Sequence, residues 1–581
     1  MASAIPDRLP VSHLRDLAVL LVYEIVRPAR TMRPLDWVVM FGWLVFLVSY
    51  GLWRGRGSAS TDQFMLAGKT MPWYAMGLSI MATQASAITF ISTTAQAYVD
   101  GMRFVQFYFG LPLAMVILSA TAVPIFHRAK VFTAYEYLEH RFDAKTRLLV
   151  TIIFLISRGL GAGLALSAPA IVLSVVLEWP FRVTILIMGG LVVLYTTTGG
   201  IKAVTWADVQ QMAVILLALV AAFVIAISML PADVSFLDAV KLAGAAGKLN
   251  AVTTTFDWND RYNIWSGLIG GMFLALAYFG TDQSQVQRYL TGKSIGQSRL
   301  GLLLNAMAKV PMQFFILFIG AMVFVVFLFI QPPMVFQPVV MEQVKASPQY
   351  PAIEARYQQA FDQRRAAARR IVAVVSDDAT ALRDFRAAQT NLDAARADAL
   401  KLSGTSDTNY IFLSFVTNYL PIGVVGLVVA VIFTAAMSAI SGEINSLATV
   451  TVIDIYKRHL AKDSSDKHYV TASRIATVFW GAYAVVFAST ATGFGALIEA
   501  VNQVGSLFYG GMLGVFVLAF FVKRCTATGA FVGVLAGEAA IFTTARFTEA
   551  FLWYNVVGCL VTVTVGWLVS ITLKQRTVIP A

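Results

Sequence analysis

"MGLSIMATQASAITFISTTAQAY", residues 76–98, has the length of a membrane-spanning helix, yet Thr83, Gln84, Ser86, Thr89 and Ser92 crowd its middle. A hydrocarbon core roughly 30 Å thick takes about 20 apolar residues per helical crossing. Polar groups left unpaired at that depth are costly, so a polar break in a span has to face protein or a water-filled cavity. The stretch therefore predicts a helix that comes apart near the bilayer centre. A second stretch makes the same prediction: "GGMFLALAYFGTDQSQVQRYL", residues 270–290, carries Gly280, Thr281, Asp282 and Gln283 in mid-span. Freed carbonyls and half-helix ends at such breaks build cation and solute sites. Close packing of small residues explains a lone serine equally well. Two breaks at corresponding places favour the site.

The surrounding sequence is that of an all-α integral membrane protein. Of its 581 residues, 58% are hydrophobic and only 13% charged, and the mean hydropathy is +0.71, far from an ordinary globular domain. Apolar runs predict about thirteen spans, at 36–53, 72–97, 104–126, 147–177, 183–198, 203–230, 263–289, 300–330, 419–456, 468–488, 494–522, 527–546 and 550–573. The alternation of a transmembrane barrel is not seen. The broken spans are the second and the seventh, so spans two to six read as one repeat and spans seven to eleven as its inverted copy. The first long apolar run lies too far in, and is too long, for a cleaved signal peptide.

The net charge of +12 is a topology signal and not a nucleic-acid footprint. Basic residues gather in the loops of one side: Arg54, Arg56 and Lys69, then Arg128 to Arg147, Lys202, Arg288 to Arg299, Lys457 to Lys467, Lys523 with Arg524, and the tail with Lys574 and Arg576. That asymmetry places the C-terminus in the cytoplasm and the N-terminus outside a cell membrane. Residues 1–35 are expected outside, with "LAVLLVYEIV" as an interfacial helix. Residues 331–418, rich in Ala, Arg, Asp and Gln, predict an external helical insertion, either a solvated decoration or a docking surface for a protein partner. Cys525 and Cys559 support neither a disulfide framework nor a thiolate metal site.

Arg158, Asp208, Asp282, Lys309, Glu443, Glu499 and Glu538 lie within or at the ends of predicted spans, where charges are rare and usually functional. Asp208 and Asp282 also suit a water boundary. Lys309, in "LLLNAMAKVPMQFF", sits well inside an apolar run, with a snorkelling stem or a buried ion pair as the plainer alternatives.

The runs "TDQSQVQRYL" (281–290), "MSAISGEINSLATVTVIDIYKR" (437–458) and "FFVKRCTATGAFVGVLAG" (520–537) resemble motifs of the sodium:solute symporter family. The likeness extends from about residue 36 to 573, the insertion apart. It implies a LeuT-like core of two inverted five-helix repeats, at 72–230 and at 263–330 with 419–522. One extra N-terminal span (36–53) and two C-terminal ones (527–573) complete the set. It implies sodium as the coupling ion and a small solute as cargo.

The resemblance assigns a sodium site to the carbonyls of Ala82, Ala85 and Ala435 and the hydroxyl of Ser438, with Ala439 where a second hydroxyl is usual. Several hard oxygen ligands suit such a cation. A second cation site, present in some members, maps to Asp208 and Ser441. Gly442 stands where a hydroxyl belongs, and Glu443 follows as an extra ligand or a proton carrier, which keeps proton coupling open. The solute pocket maps to Gln84, Thr89, Tyr108, Tyr278, Phe279, Lys309 and Asn502, Tyr278 also being the inner gate. The carboxylate that sugar carriers place in "MRFVQFYFGLPLAM" (102–115) is missing. "ATQASAITFIS" (82–92) is more similar to the monocarboxylate, iodide and vitamin branch. The expected solute is an organic anion such as a monocarboxylate or vitamin-like acid, with a sugar or polyol as the rival. No nucleophile–base pair or phosphate loop supports an enzyme. A solute sensor and a structural subunit are the alternatives from other classes.

Overall fold

A computed structural model describes residues 32–55, 66–84, 87–177, 179–198, 201–373, 379–404, 406–490 and 497–573. The readings made for residues 1–31, Arg56, Ala85, Ser86, Lys574 and Arg576 lie outside the described residues. The described residues form helices and no strand. In chain order the helices are α1 (Pro34–Gly55), α2 (Trp73–Gln84), α3 (Ala87–Asp100), α4 (Leu111–Ala120), α5 (Ala122–Ala129), α6 (Ala134–Arg141), α7 (Ala144–Leu177), α8 (Phe181–Thr198), α9 (Ile201–Ser228) and α10 (Phe236–Ala245). Then come α11 (Gly271–Thr281), α12 (Gln283–Leu290), α13 (Ile295–Phe329), α14 (Pro338–Lys345), α15 (Tyr350–Ala373), α16 (Ala379–Ser403) and α17 (Ile411–Tyr419). The last are α18 (Val424–Val450), α19 (Asp466–Thr490), α20 (Leu497–Phe521), α21 (Ala527–Thr544) and α22 (Leu552–Thr572).

Among the described residues, 9 helical stretches are long and apolar enough to cross a bilayer, and Pro34–Leu47, Phe181–Leu194 and Ser266–Thr281 are shorter apolar ones. Their outer faces expose leucine and valine, as at Leu194, Leu217 and Val224. That suits a lipid solvent, since a helix satisfies its own backbone there. Inside the bundle, α2 packs on α9, α13 and α18, α7 lies along α18 and α19, and α11 rests on α4 and α20. The two short, interrupted helices are thus surrounded by protein.

The second polar stretch divides. In the first, α2 is described to Gln84 and α3 from Ala87, and the predicted break at Ala85 and Ser86 lies outside the described residues. The other stops at Thr281, passes through Asp282 with φ −78° and ψ 120°, and resumes as α12.

α1 is fastened to the start of α18. Buried Asp36 accepts hydrogen bonds at Oδ1 from the backbone N–H of Gly423 (2.5 Å) and Gly426 (3.0 Å). Gly423 has φ +86°, a backbone conformation glycine adopts freely. A Cβ at Gly426 would lie 2.2 Å from the Asp36 carbonyl oxygen.

In the insertion, α15 and α16 pair around a small core of their own that includes Ile353, Phe361 and Leu392. Arg364, fully buried, joins them through Gln389 (2.9 Å) and donates to the Phe327 carbonyl at the end of α13 (2.6 Å). Lys241 of α10 donates to the Ile371 carbonyl (3.0 Å).

Candidate cation and solute site

The break after α11 is built by its own polar residues. Asp282 Oδ1 accepts from the Ser284 N–H (2.9 Å) and hydroxyl (2.7 Å), which caps α12 and satisfies donors that a helix start leaves free. Gln283 clamps the turn before α6, accepting from the Ala134 N–H (2.9 Å) and donating to the Phe132 carbonyl (2.9 Å). The Thr281 carbonyl accepts from the Tyr135 hydroxyl (3.0 Å). A helix severed in mid-membrane thus keeps its polar groups paired.

The other oxygen of Asp282 leads to Arg158 of α7. Arg158 is ion-paired to Asp282 Oδ2, donates through Nη1 to Glu443 Oε1 (2.9 Å), and holds the Tyr509 hydroxyl (2.7 Å). Tyr509 in turn donates to Asp282 (3.2 Å). The Tyr278 ring lies 5.3 Å beneath the guanidinium, a cation–π contact, and its hydroxyl accepts from Gln285 (2.8 Å). Asp282 is fully buried and Glu443 nearly so, which rules out a water-boundary place for Asp282. Glu443, expected as an extra ligand or a proton carrier, is bonded to Arg158, 285 positions away.

Over this cluster lies a cavity of about 100 Å³. Gln84, Tyr108, Tyr278, Phe279 and Asn502 all contribute to its wall, together with Arg158, Glu443 and Tyr509. Two residues predicted for the pocket stand elsewhere. Thr89 is buried and donates its hydroxyl to the Gln84 carbonyl (2.6 Å), linking α3 to α2. Lys309 is fully buried behind Tyr108, with Nζ 5.6 Å from that ring, off the cavity wall and without a hydrogen-bond partner. Asn305 and Gln313, one turn away on either side, also carry unpartnered amide atoms.

The predicted cation ligands lie beside this cavity. Ala82 is buried on α2, two residues before the last residue described there. Ala435 and Ser438 are buried on α18, facing Asp208 of α9. Ser438 donates its proton to Asp208 Oδ1, which leaves the hydroxyl's lone pairs free for a cation. Gln211, one turn beyond Asp208, donates to the Thr434 carbonyl (2.7 Å) and fixes the backbone next to Ala435. Ala85 is outside the described residues. The donors present are hard oxygens, which fit a sodium ion.

Both carboxylates of the second predicted cation set already hold an arginine. Asp208, fully buried and not at a water boundary, accepts at Oδ2 from Ser79 (2.6 Å) and from Arg288 Nη1 (2.7 Å). Glu443 turns to Arg158 instead. Arg288 was expected among the loop cations; it belongs to α12, and its side chain is 1% exposed. Sequence reasoning also missed Ser79, Gln211 and Tyr509. Nothing in their local sequence marks them, because each acts through a partner far along the chain.

Towards the basic loops, Asp454 gathers Arg147 Nε (2.7 Å) and Thr133 (2.9 Å). Glu139, in the loop helix α6, accepts from Arg458 Nε (2.9 Å) and from Arg147 Nη1 (2.6 Å). Those guanidiniums, Arg458 first, hold the Glu139 carboxyl down at about 2. At the insertion end, Glu499 collects Tyr262 (2.5 Å), Arg261 (3.1 Å) and Gln96 (3.2 Å).

A helix broken at Asp282 beside a small cavity, next to a helix that offers carbonyls and a hydroxyl, is the arrangement of a secondary transporter of LeuT-like fold. The chain belongs to the sodium:solute symporter family, whose sequence pattern matches residues 64–354 and 391–537. It is 27% identical over 558 residues to the sodium/sialic acid symporter NanT of Aliivibrio fischeri, covering 94% of this chain and 95% of that one. It is 27% identical to the human sodium-coupled monocarboxylate transporter 1 (87% of this chain, 72% of that one) and 27% identical to the sodium/glucose cotransporter of Vibrio parahaemolyticus (86% and 83%). The outward-open, substrate-bound structure of a Na+-coupled sialic acid symporter superposes with a TM-score of 0.73 at 24% identity, over 94% of this chain and 99% of that one. That likeness shows the fold. The relatives are transporters, not enzymes.

Proposed function

We propose that this protein takes up a small organic anion together with sodium by alternating access. One observation carries the anion reading: the basic and acidic side chains buried around the site are equal in number. Arg158, Arg288 and Lys309 stand against Asp208, Asp282 and Glu443, all buried. A sodium ion added beside Ser438 brings one uncompensated positive charge into a region where isolated charge is expensive. A solute carboxylate offsets it. Arg158 lies on the cavity wall, and its Nε–H is the donor without a partner. Phe107, Leu111, Leu274 and Phe279 offer an apolar wall for the body of the solute. Relatives named for sialic acid and for monocarboxylates agree with an acidic cargo.

Sodium bound between α2 and α18 would tie the two helices together, and its differential affinity for the outward and inward states would drive the cycle. Gated by Tyr278 beside the α11–α12 break, the cavity would open to one side at a time. The test is uptake into proteoliposomes of a short monocarboxylate and of glucose, under imposed sodium or proton gradients. The acid should accumulate above its outside level only with inward sodium. Accumulation of glucose in its place, or accumulation driven by protons alone, refutes the proposal; binding without accumulation would make the protein a sensor.

A further inference from the structure

Residues 355–390, most of α15 and the first half of α16, fall outside the stretches that match the family. Between 364 and 389 the sequence carries six arginines against three aspartates. Arg364 is buried in the latch to the Phe327 carbonyl. Arg365 pairs with Asp362 (2.9 Å) and Arg370 with Asp384 (3.1 Å). Arg369, Arg383 and Arg386 are exposed and make no ion pair among the described residues. The Arg370–Asp384 pair brings these three together where the end of α15 meets the start of α16.

That tip rests against the lipid rim of the bundle. Ile371, two residues past Arg369, accepts the bond from Lys241 of α10. One turn before Lys241 on the same helix, Leu237 is 75% exposed and Phe236 42%. The Phe236 ring also packs on Phe223 of α9 (centroids 6.2 Å apart) and Phe318 of α13 (6.4 Å), both inside stretches apolar and long enough to cross a bilayer. Beside it, α9 exposes Leu216, Leu217, Val220 and Val224. An apolar start among acyl chains and a lysine end towards polar groups is the posture of an interfacial helix. Headgroups form a layer roughly 5–7 Å deep beyond the hydrocarbon, within reach of long arginine side chains.

We propose that Arg369, Arg383 and Arg386 seat the phosphate headgroups of anionic lipids in the leaflet at the insertion end of the bundle. A guanidinium presents paired N–H donors to phosphate, and each basic residue near an anionic surface gives roughly a fivefold preference. Held by lipid at its tip and by Arg364 against α13, the hairpin ties the end of that helix to the membrane surface. This is independent of the solute and of the ion carried.

The test attaches a fluorophore to the full-length chain through Ala387→Cys, an exposed neighbour of Arg386; Cys525 and Cys559 are buried and stay in place. The chain is put into phosphatidylcholine nanodiscs doped with a minority of chain-brominated phosphatidylglycerol or with the same amount of brominated phosphatidylcholine. Bromine quenches at close range, so the glycerol lipid should quench about fivefold more strongly or better, and the difference should shrink at high salt. Changing Arg369, Arg383 and Arg386 together to glutamine, a surface change of little cost to the fold, should make the two lipids quench alike. Equal quenching with the arginines in place overturns the proposal, and so does a preference that survives their removal. Quenching by neither lipid also overturns it and leaves the tip to a soluble partner.

Discussion

Replacing Ser438 by alanine tests the first cation site most directly. Its hydroxyl gives its proton to Asp208 and so presents lone pairs to whatever lies on the other side. The remaining proposed ligands of that site are backbone carbonyls, so Ser438→Ala deletes the one side-chain oxygen. An oxygen facing a bound ion contributes about as much as a hydrogen bond to a charged group, roughly 1.5–3 kcal/mol. At about 1.4 kcal/mol per decade, the half-saturating sodium concentration should rise roughly ten- to hundredfold. The assay is sodium activation of solute uptake in proteoliposomes, with solute affinity measured at saturating sodium as the control. Ala439→Ser is the complementary change, adding a hydroxyl where Ala439 lines the cavity, and should lower the sodium requirement. A shift of less than about twofold for Ser438→Ala, with the protein folded, would refute the assignment.

Lys309→Met removes a buried cation that has no hydrogen-bond partner. Apolar replacement of buried charge is often neutral or stabilising, so the melting temperature should hold or rise. The charge tally around the cavity turns negative, so affinity for an anionic solute should fall, read as a higher KM. Gly110→Ala would place a Cβ 2.2 Å from the Met272 backbone nitrogen where α4 meets α11. Overpacking of this kind costs about 1–3 kcal/mol, visible in thermal unfolding. Glu139, held at about 2 against an ordinary 4.5, stabilises the fold above pH 4.5 and loses that contribution as pH falls through its folded value. Glu139→Gln should therefore flatten the dependence of melting temperature on pH between 4.5 and 2.

Much of this architecture was legible because the bilayer punishes polar groups so heavily. A run such as Gly280-Thr281-Asp282-Gln283 inside an apolar span admits few explanations, and the break falls on it. Tyr278 and Phe279 lie beside that break and reach the cavity for that reason. Lys309 shows the limit. Its depth could be read from the flanking apolar residues, but the face it occupies depends on how α13 rolls against its neighbours. Arg288 was hidden by an uncertain helix end, since a basic residue near a loop looks like a topology signal until its helix is seen to be buried. The bonds from Arg158 to Glu443 and Asp282 join residues 285 and 124 positions apart, which no spacing rule in one sequence can supply.

The fastening of α1 to α18 through Asp36 reaches beyond packing. Because the helix that carries Ser438 begins at that clasp, any tilt it makes when the ion arrives must drag α1 along as an outrigger. A reporter dye on the lipid-facing surface of α1, for instance at Phe41, which is 54% exposed, would then register the loading step from outside the bundle without touching the pocket.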